Sequence, residues 1–210
     1  MKKVVIVGVG ALGSHVALLL RNEAELTVID CDKVEQKNVL AQFHPKSSVR
    51  QNKAESIKKT MQFLYGTSIK SIPHKLTPDN AKELLLGDLI IDYLDNGEGR
   101  RAIVNFIRTR DAWQLQLEKT NSRQPIADRG VGSTLLHGAL APNGEFGRAI
   151  WDEQFKIDDE AGAGAATCEG GEFLPFITIT ASYLAYSAQT FLRTGKKIGF
   201  QIYPGGATRV

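Results

Sequence analysis

Four consecutive β-branched residues, Val4 to Val7, open the chain's apolar pattern, and an unbroken run of this kind marks a strand buried on both faces of a parallel sheet. Glycines end it, and Ser14 to Leu20 continues as a helix. Arg21 to Glu25 turns the chain, and Leu26 to Asp30 is the next strand, so the first 30 residues predict one βαβ unit. Ala54, Ile57, Met61 and Leu64 lie at helical spacing within Lys53 to Leu64, and Ser68 to His74 reads as another strand. A short helix is expected over Ala81 to Leu86, ending near Gly87. Leu89 to Tyr93 repeats the buried-strand pattern, and the turn DNGEGRR leads into a helix over Ala102 to Arg110. Such alternation predicts a parallel sheet with helices on both faces.

Beyond Pro125 the pattern changes. PIADRGVGSTLLHGALAPNGEF gives short segments broken by glycine, which suit antiparallel strands at a sheet edge. The expected fold class is therefore α/β with a Rossmann-like mixed sheet: a parallel nucleotide-binding half, then antiparallel edge strands, with helices on both faces. Residues 157–172, IDDEAGAGAATCEGGE, hold almost no large apolar side chain and predict a flexible crossover loop. Phe173 to Leu192 predicts a long packed helix that Gly195 ends.

At 210 residues and 42% hydrophobic content the chain can bury one sizeable core, so residues 1–210 are expected to form a single domain. A formal charge of +3 spread along the sequence gives neither a nucleic-acid stripe nor a polybasic membrane segment. No run approaches the roughly 18 apolar residues of a membrane span, and the N-terminal apolar run is interrupted too soon for a signal peptide. Two cysteines, Cys31 and Cys168, are too few for a disulfide framework. A soluble, cytoplasmic protein without nucleic-acid or membrane partners is expected.

GVGALG, Gly8 to Gly13, lies between a predicted strand and a predicted helix, where glycines let backbone amides approach an anion and the helix N-terminus adds partial positive charge. A tight turn without ligand is the alternative. Asp30 closes the second strand 17 positions after Gly13, where a carboxylate can accept hydrogen bonds from both ribose hydroxyls or merely cap the loop. Gly8, Gly10, Gly13 and Asp30 are thus candidate nucleotide contacts, equally compatible with a nicotinamide dinucleotide.

The residues that follow separate these readings. Asp30, Asp32, Val34 and Asn38 form D-x-D-x-V-x-x-x-N; Gln42 and Phe43 follow, Lys53 opens the next helix, and YLDN spans Tyr93 to Asn96. This ordered set resembles the ThiF/MoeB family, which includes the adenylation domains of ubiquitin-activating enzymes, and the resemblance runs from Lys3 to about Gly195. It implies ATP-dependent adenylation of the C-terminal carboxylate of a ubiquitin-like or sulfur-carrier protein ending in Gly-Gly, with Mg2+, by a homodimer. Adenylation requires positive charge and donors on the β and γ oxygens of ATP and a divalent ion near the α and β. By this resemblance Lys53 supplies charge, Asn38 an amide donor, and Asp95 holds magnesium at the end of a central strand. Taken singly, Asn38 and Asp95 also suit helix caps, and Lys53 a solvated first-turn lysine.

Thr167 to Leu192 is similar to the family segment in which a cysteine precedes a glycine turn, a proline and a long apolar helix. By this resemblance Cys168 is the candidate catalytic thiol, attacking the adenylate to hold the carrier as a thioester or persulfide, with an incidental surface cysteine as the alternative; nearby carboxylates would raise its pKa. Cys31 reads as structural. The chain departs from the family pattern in several places. Ala41 stands where most members have arginine, and no upstream helices carrying a second arginine precede Val4, so Arg50, Arg100, Arg101 or a second subunit would substitute. Paired CxxC zinc motifs are absent, and the Gln42–Lys53 and Cys168–Pro175 intervals are one residue shorter than usual. His15 reads as a packing or capping residue, His44 and His74 as loop and strand-end residues, and His137 as an edge-strand residue. Trp113 and Trp151 read as core or interface anchors. A degenerate subunit that binds a carrier without adenylating it, and an NAD-dependent oxidoreductase, are the alternatives.

Overall fold

The computed structural model describes residues 1–81, 85, 87–94, 97–119, 134–141, 144–152 and 171–210, with side chains omitted for 110–119. Among the described residues eight strands form one sheet in the order β3-β2-β1-β4-β5-β6-β7-β8. They are β1 (Lys3–Val7), β2 (Glu25–Ile29), β3 (Lys70–Ile72), β4 (Leu89–Asp92), β5 (Thr134–Leu140), β6 (Gly147–Trp151), β7 (Phe200–Tyr203) and β8 (Gly206–Arg209). The α-helices whose bounds lie among the described residues are α1 (Ala11–Leu20), α2 (Lys53–Tyr65), α3 (Gly97–Lys119) and α4 (Leu174–Thr194). Pairing is parallel from β3 to β5 and antiparallel from β5 to β8. The mixed sheet with a parallel half and antiparallel outer strands is as the pattern predicts.

The continuous run Val4 to Val7 is buried because β1 is covered on both faces. Val4 and Ile6 face a cluster built from α1, α2 and α4, including Val16, Ile57 and Leu184. Val5 and Val7 face a second cluster in which Ile103 and Ile107 of α3 pack on Ile29, Ile90 and Leu135. Each such fully buried aliphatic contributes about 1.5–3 kcal/mol relative to exposure.

Two details differ from the sequence pattern. Thr134 to Leu140 is not an edge strand: β5 pairs parallel with β4 and antiparallel with β6, so it is the interior strand where the sheet changes direction. Its glycine has a packing cause, since a Cβ on Gly138 would sit 2.3 Å from Cε1 of Tyr93. The helix expected over Ala102 to Arg110 begins earlier, at Gly97, and runs to Lys119, because GEGRR continues the helix that its glycines suggest is a turn. Most of the expected Ala81–Leu86 helix lies outside the described residues, as do 157–170; Gly171 and Glu172 open a single 3-10 turn before α4. Pro175 occupies the first turn of α4, where its missing N–H goes unneeded, and Gly195 ends that helix as expected. Trp151 is 3% exposed against Phe191, an anchor in the core, whereas the Trp113 side chain lies outside the described set. No helix among the described residues is long and apolar enough to cross a membrane.

The chain leaves β1 toward β2 and β3, then returns to the other side of β1 as β4. The strand order therefore reverses between β1 and β4, and ligands of open α/β sheets collect beyond the carboxyl ends of strands at such a point.

Close approach at this junction makes Gly13 irreplaceable. A Cβ there would lie 1.9 Å from the Gly8 carbonyl oxygen and 2.9 Å from Cδ2 of Tyr93. Gly13→Ala is expected to destabilise the fold by about 3 kcal/mol. Gly205→Ala, where nothing lies within 4 Å, should change stability by no more than about 0.5 kcal/mol. Urea denaturation of both variants checks this contrast, and equal stabilities would contradict it.

Candidate functional site

The glycine run forms the connection from β1 to α1 at the switch point. Gly8 has φ +85°, a left-handed conformation that glycine adopts without strain, and its amide donates to the Ile29 carbonyl at 2.9 Å. Gly10 precedes α1 and offers no side-chain cap, so the first helical amides are left to an outside acceptor. A Cβ at Gly10 would meet only Gln42 Nε2, at 4.0 Å. Among the described residues the space above this loop is open, while the space beneath Gly8 and Gly13 is filled by Tyr93. That asymmetry fits a backbone cradle for an anion.

Asp30 follows β2 directly. Its Oδ2 accepts the Val9 amide and its Oδ1 the Asp32 amide, both at 2.8 Å. Burial pushes its pKa above the ordinary carboxylate range, while the Lys53 charge and these two amide bonds act against that rise. Each oxygen retains a second lone pair for a ribose hydroxyl. Lys53, the first residue of α2, holds its ammonium 3.2 Å from Oδ2 of Asp32 with 12% of its side chain exposed. Asn52 immediately before it caps α2 through the Glu55 amide, at 3.1 Å. The same side chain donates to the Asp30 and Asp32 carbonyls, at 2.8 and 3.1 Å. One residue thus fixes α2 to the turn after β2 and aims Lys53 at it.

His44 belongs to this site although the sequence reads it as a loop residue. It is 4% exposed. Its Nε2 lies 2.9 Å from the Val9 carbonyl and its Nδ1 3.0 Å from Ser56 Oγ. A carbonyl only accepts, so Nε2 donates and Nδ1 accepts the serine hydroxyl. Burial lowers its pKa to about 4, which keeps the ring neutral in this role. No local pattern betrays it, because both partners are distant in sequence.

Asn38 is buried, but its Oδ1 accepts the Glu35 amide at 2.8 Å within a capping box on the short 3-10 helix Gln36–Leu40. The structure thus gives it the cap role, and a ligand would be met only by its amide nitrogen. Ala41 is fully buried, its carbonyl held by His15 Nε2 at 3.2 Å. His15 therefore packs and caps, as expected. Arg100 points its Nε at buried Asp92, 3.4 Å away, which commits one of the arginines that could replace a residue at position 41. Asp95 and Cys168 lie outside the described residues; Gly171, three positions after Cys168, would bring a Cβ 3.6 Å from Leu40. Asp30, Cys31 and Asp32 present ligand-type atoms within 4.8 Å of one another. Amide bonds to Asp30 and the Lys53 pairing of Asp32 explain these groups without a metal. Burial and the flanking carboxylates push the Cys31 thiol up, so it is a poor nucleophile.

A glycine cradle at the strand-order reversal, with a partly buried acid and a lysine beside it, defines a Rossmann-like α/β protein. More narrowly, the chain belongs to the ThiF family, whose model matches residues 1–120. No curated protein sequence matches it. It is similar in fold to E. coli MccB solved with AMPCPP and MccA, at TM-score 0.71 and 16% identity, over 100% of this chain and 63% of that one. E. coli MccB with ATP gives TM-score 0.71 at 16% identity over 100% and 62%, and PaaA gives 0.69 at 15% over 100% and 64%. The chain thus spans somewhat less than two-thirds of the length of these relatives.

The neutral, buried His44 makes stability pH-dependent. Its pKa falls from 6.5 to about 4 on folding, so the unfolded chain takes up a proton that the folded chain refuses. The contribution is complete above pH 6.5 and is lost as the pH falls toward about 4, by about 3 kcal/mol in full. In urea titrations over this range, His44→Gln should lose less stability on acidification than the unsubstituted protein. Parallel curves would refute the assignment.

Proposed function

We propose that the chain activates the C-terminal carboxylate of a ubiquitin-like or sulfur-carrier protein ending in Gly-Gly by ATP-dependent adenylation, with residues 1–210 acting as one adenylation domain and as a homodimer. The observation that carries this reading is the convergence of the Gly8–Gly13 loop, Asp30 and Lys53 at the β1/β4 reversal. Membership of the ThiF family supports it, as do ATP and the peptide MccA as partners of the similar MccB structures.

In this mechanism the loop amides between Gly8 and Gly13 hold phosphate oxygens, and Asp30 accepts hydrogen bonds from the ribose. Lys53 exchanges its contact with Asp32 for the triphosphate and neutralises charge as pyrophosphate leaves. The amide nitrogen of Asn38 donates to the same substrate. Asp95 would hold Mg2+, which would supply Lewis-acid charge to the triphosphate. A carrier carboxylate oxygen attacks the α-phosphorus, the bond to the β-phosphate oxygen breaks, and acyl adenylate plus pyrophosphate result. No general base is needed, because the carboxylate is ionised at neutral pH. Cys168, as thiolate, then attacks the acyl carbon and releases AMP, leaving a thioester.

A second reading, a carrier-binding subunit without its own activity, has one observation in its favour. Ala41 is wholly buried and Arg100 faces Asp92, so neither supplies a cation to pyrophosphate. Exchange of labelled pyrophosphate into ATP, dependent on a Gly-Gly-ending carrier, tests the two: turnover by the purified chain excludes the second, and failure of a folded chain with every such carrier excludes the first. Lys53→Ala should lower the exchange rate about 100-fold with the fold unchanged by circular dichroism. Cys168→Ala should keep exchange and lose the thioester, which is detected as a thiol-sensitive adduct by mass spectrometry.

A further inference from the structure

Asp92, the last residue of β4, is fully buried on the α3 face of the sheet. Its Oδ2 lies 2.9 Å from His137 Nδ1 and 3.4 Å from Arg100 Nε. Its Oδ1 accepts the Leu94 amide at 2.8 Å. His137 is its register partner on β5, 1% exposed on the side chain, with Nε2 3.7 Å from Oδ1 of Asp152 just past β6. A carboxylate only accepts, so His137 donates from Nδ1. Burial works to lower the pKa of His137, but hydrogen bonds and charge from Asp152 and Asp92 outweigh it and hold it above the ordinary value.

Two apolar side chains would fill the space between central strands without desolvating charge. What the polar chain adds is a fixed exit from β4. Asp92 captures Leu94, and Tyr93 between them is pinned by its own amide to the Val7 carbonyl at 2.9 Å. Tyr93 forms the floor of the glycine loop: Cβ atoms on Gly8 and Gly13 would approach it to 3.2 and 2.9 Å. A shift of the 92–94 turn therefore moves the surface on which the loop rests.

We infer that His137 is a positioning residue for the nucleotide loop, acting through Asp92 and the Tyr93–Leu94 turn. This rests on the proposal that the loop binds ATP. The bond from His137 Nδ1 to Asp92, and from Asp92 to the Leu94 amide, carries the effect, so the donor matters more than the bulk of the ring.

Asparagine places an amide nitrogen near the position of Nδ1, whereas phenylalanine keeps the volume and removes the donor. Calorimetric titration of ATP with magnesium into the full chain should give His137→Asn an affinity within about threefold of the unsubstituted protein. His137→Phe should weaken binding about tenfold. Adding Asp92→Asn to His137→Phe should weaken it little further, because one relay is already broken. Equal affinity of a folded His137→Phe, or independent effects that simply multiply, would overturn the inference. Should His137→Phe fail to fold, the imidazole 15N–1H signals of His137 in the unsubstituted protein serve instead. They should move on saturation with ATP, and unmoved signals would equally overturn it. Absence of ATP binding by the unsubstituted chain would count against the proposed function and is read separately.

Discussion

The peptide unit of Val9 is the point on which the site depends. Its N–H is taken by the Asp30 carboxylate and its carbonyl by the His44 imidazole. A loop that presents amides to an anion needs them aimed before the ligand arrives, because donors that reorient on binding lose much of their electrostatic effect. Here the loop is clamped from β2 on one side and from α2, through Ser56, on the other. The clamp constrains its members in turn. Asp30 is partly desolvated yet surrounded by donors, and His44 is kept neutral by burial. The tight contact between Gly13 and the Gly8 carbonyl completes the arrangement, since α1 can start where it does only if no side chain intervenes.

The carboxylates sort by depth. Asp32 lies at the rim, where its pairing with Lys53 is easily exchanged for a stronger anion. Asp92 is fully buried and held by Arg100 and His137, where exchange is costly and the arrangement persists. Rim charge suits a ligand that enters and leaves; buried charge suits a fixed frame. By this division Arg100 is frame, and any cation standing in for the family's arginine at position 41 has to come from elsewhere.

What was legible in the sequence was local. Val4 to Val7 announces a doubly covered strand, and the spacing of Ala54, Ile57, Met61 and Leu64 announces a helix. GVGALG between a strand and a helix announces the loop, and each of these signals arises from residues within one turn or strand of each other. Even the ThiF resemblance rests on short motifs in order. The illegible parts are non-local. His44 reaches the loop from 35 positions away and His137 reaches Asp92 from 45, and no periodicity encodes either meeting. Gly138 looked like an edge-strand break because the ring that needs its space comes from Tyr93 on another strand. Asn38 shows the converse: both its place in the motif and its aptness as a cap were visible, and the structure gives its oxygen the cap.

Helix α4 packs across α1 on one face of the sheet. There Glu23 is held by Gln189 and Arg193, at 2.9 and 2.5 Å, across more than 160 positions. During vectorial synthesis this has a cost. A nascent chain that has emerged only through residue 120, the span the family model matches, carries the whole nucleotide motif. It lacks β5 to pair the open side of β4, and it lacks the helix that shields α1. Such an intermediate exposes both a bare strand edge and an apolar groove. The motif-bearing half thus stays dependent on a segment that the ribosome releases later.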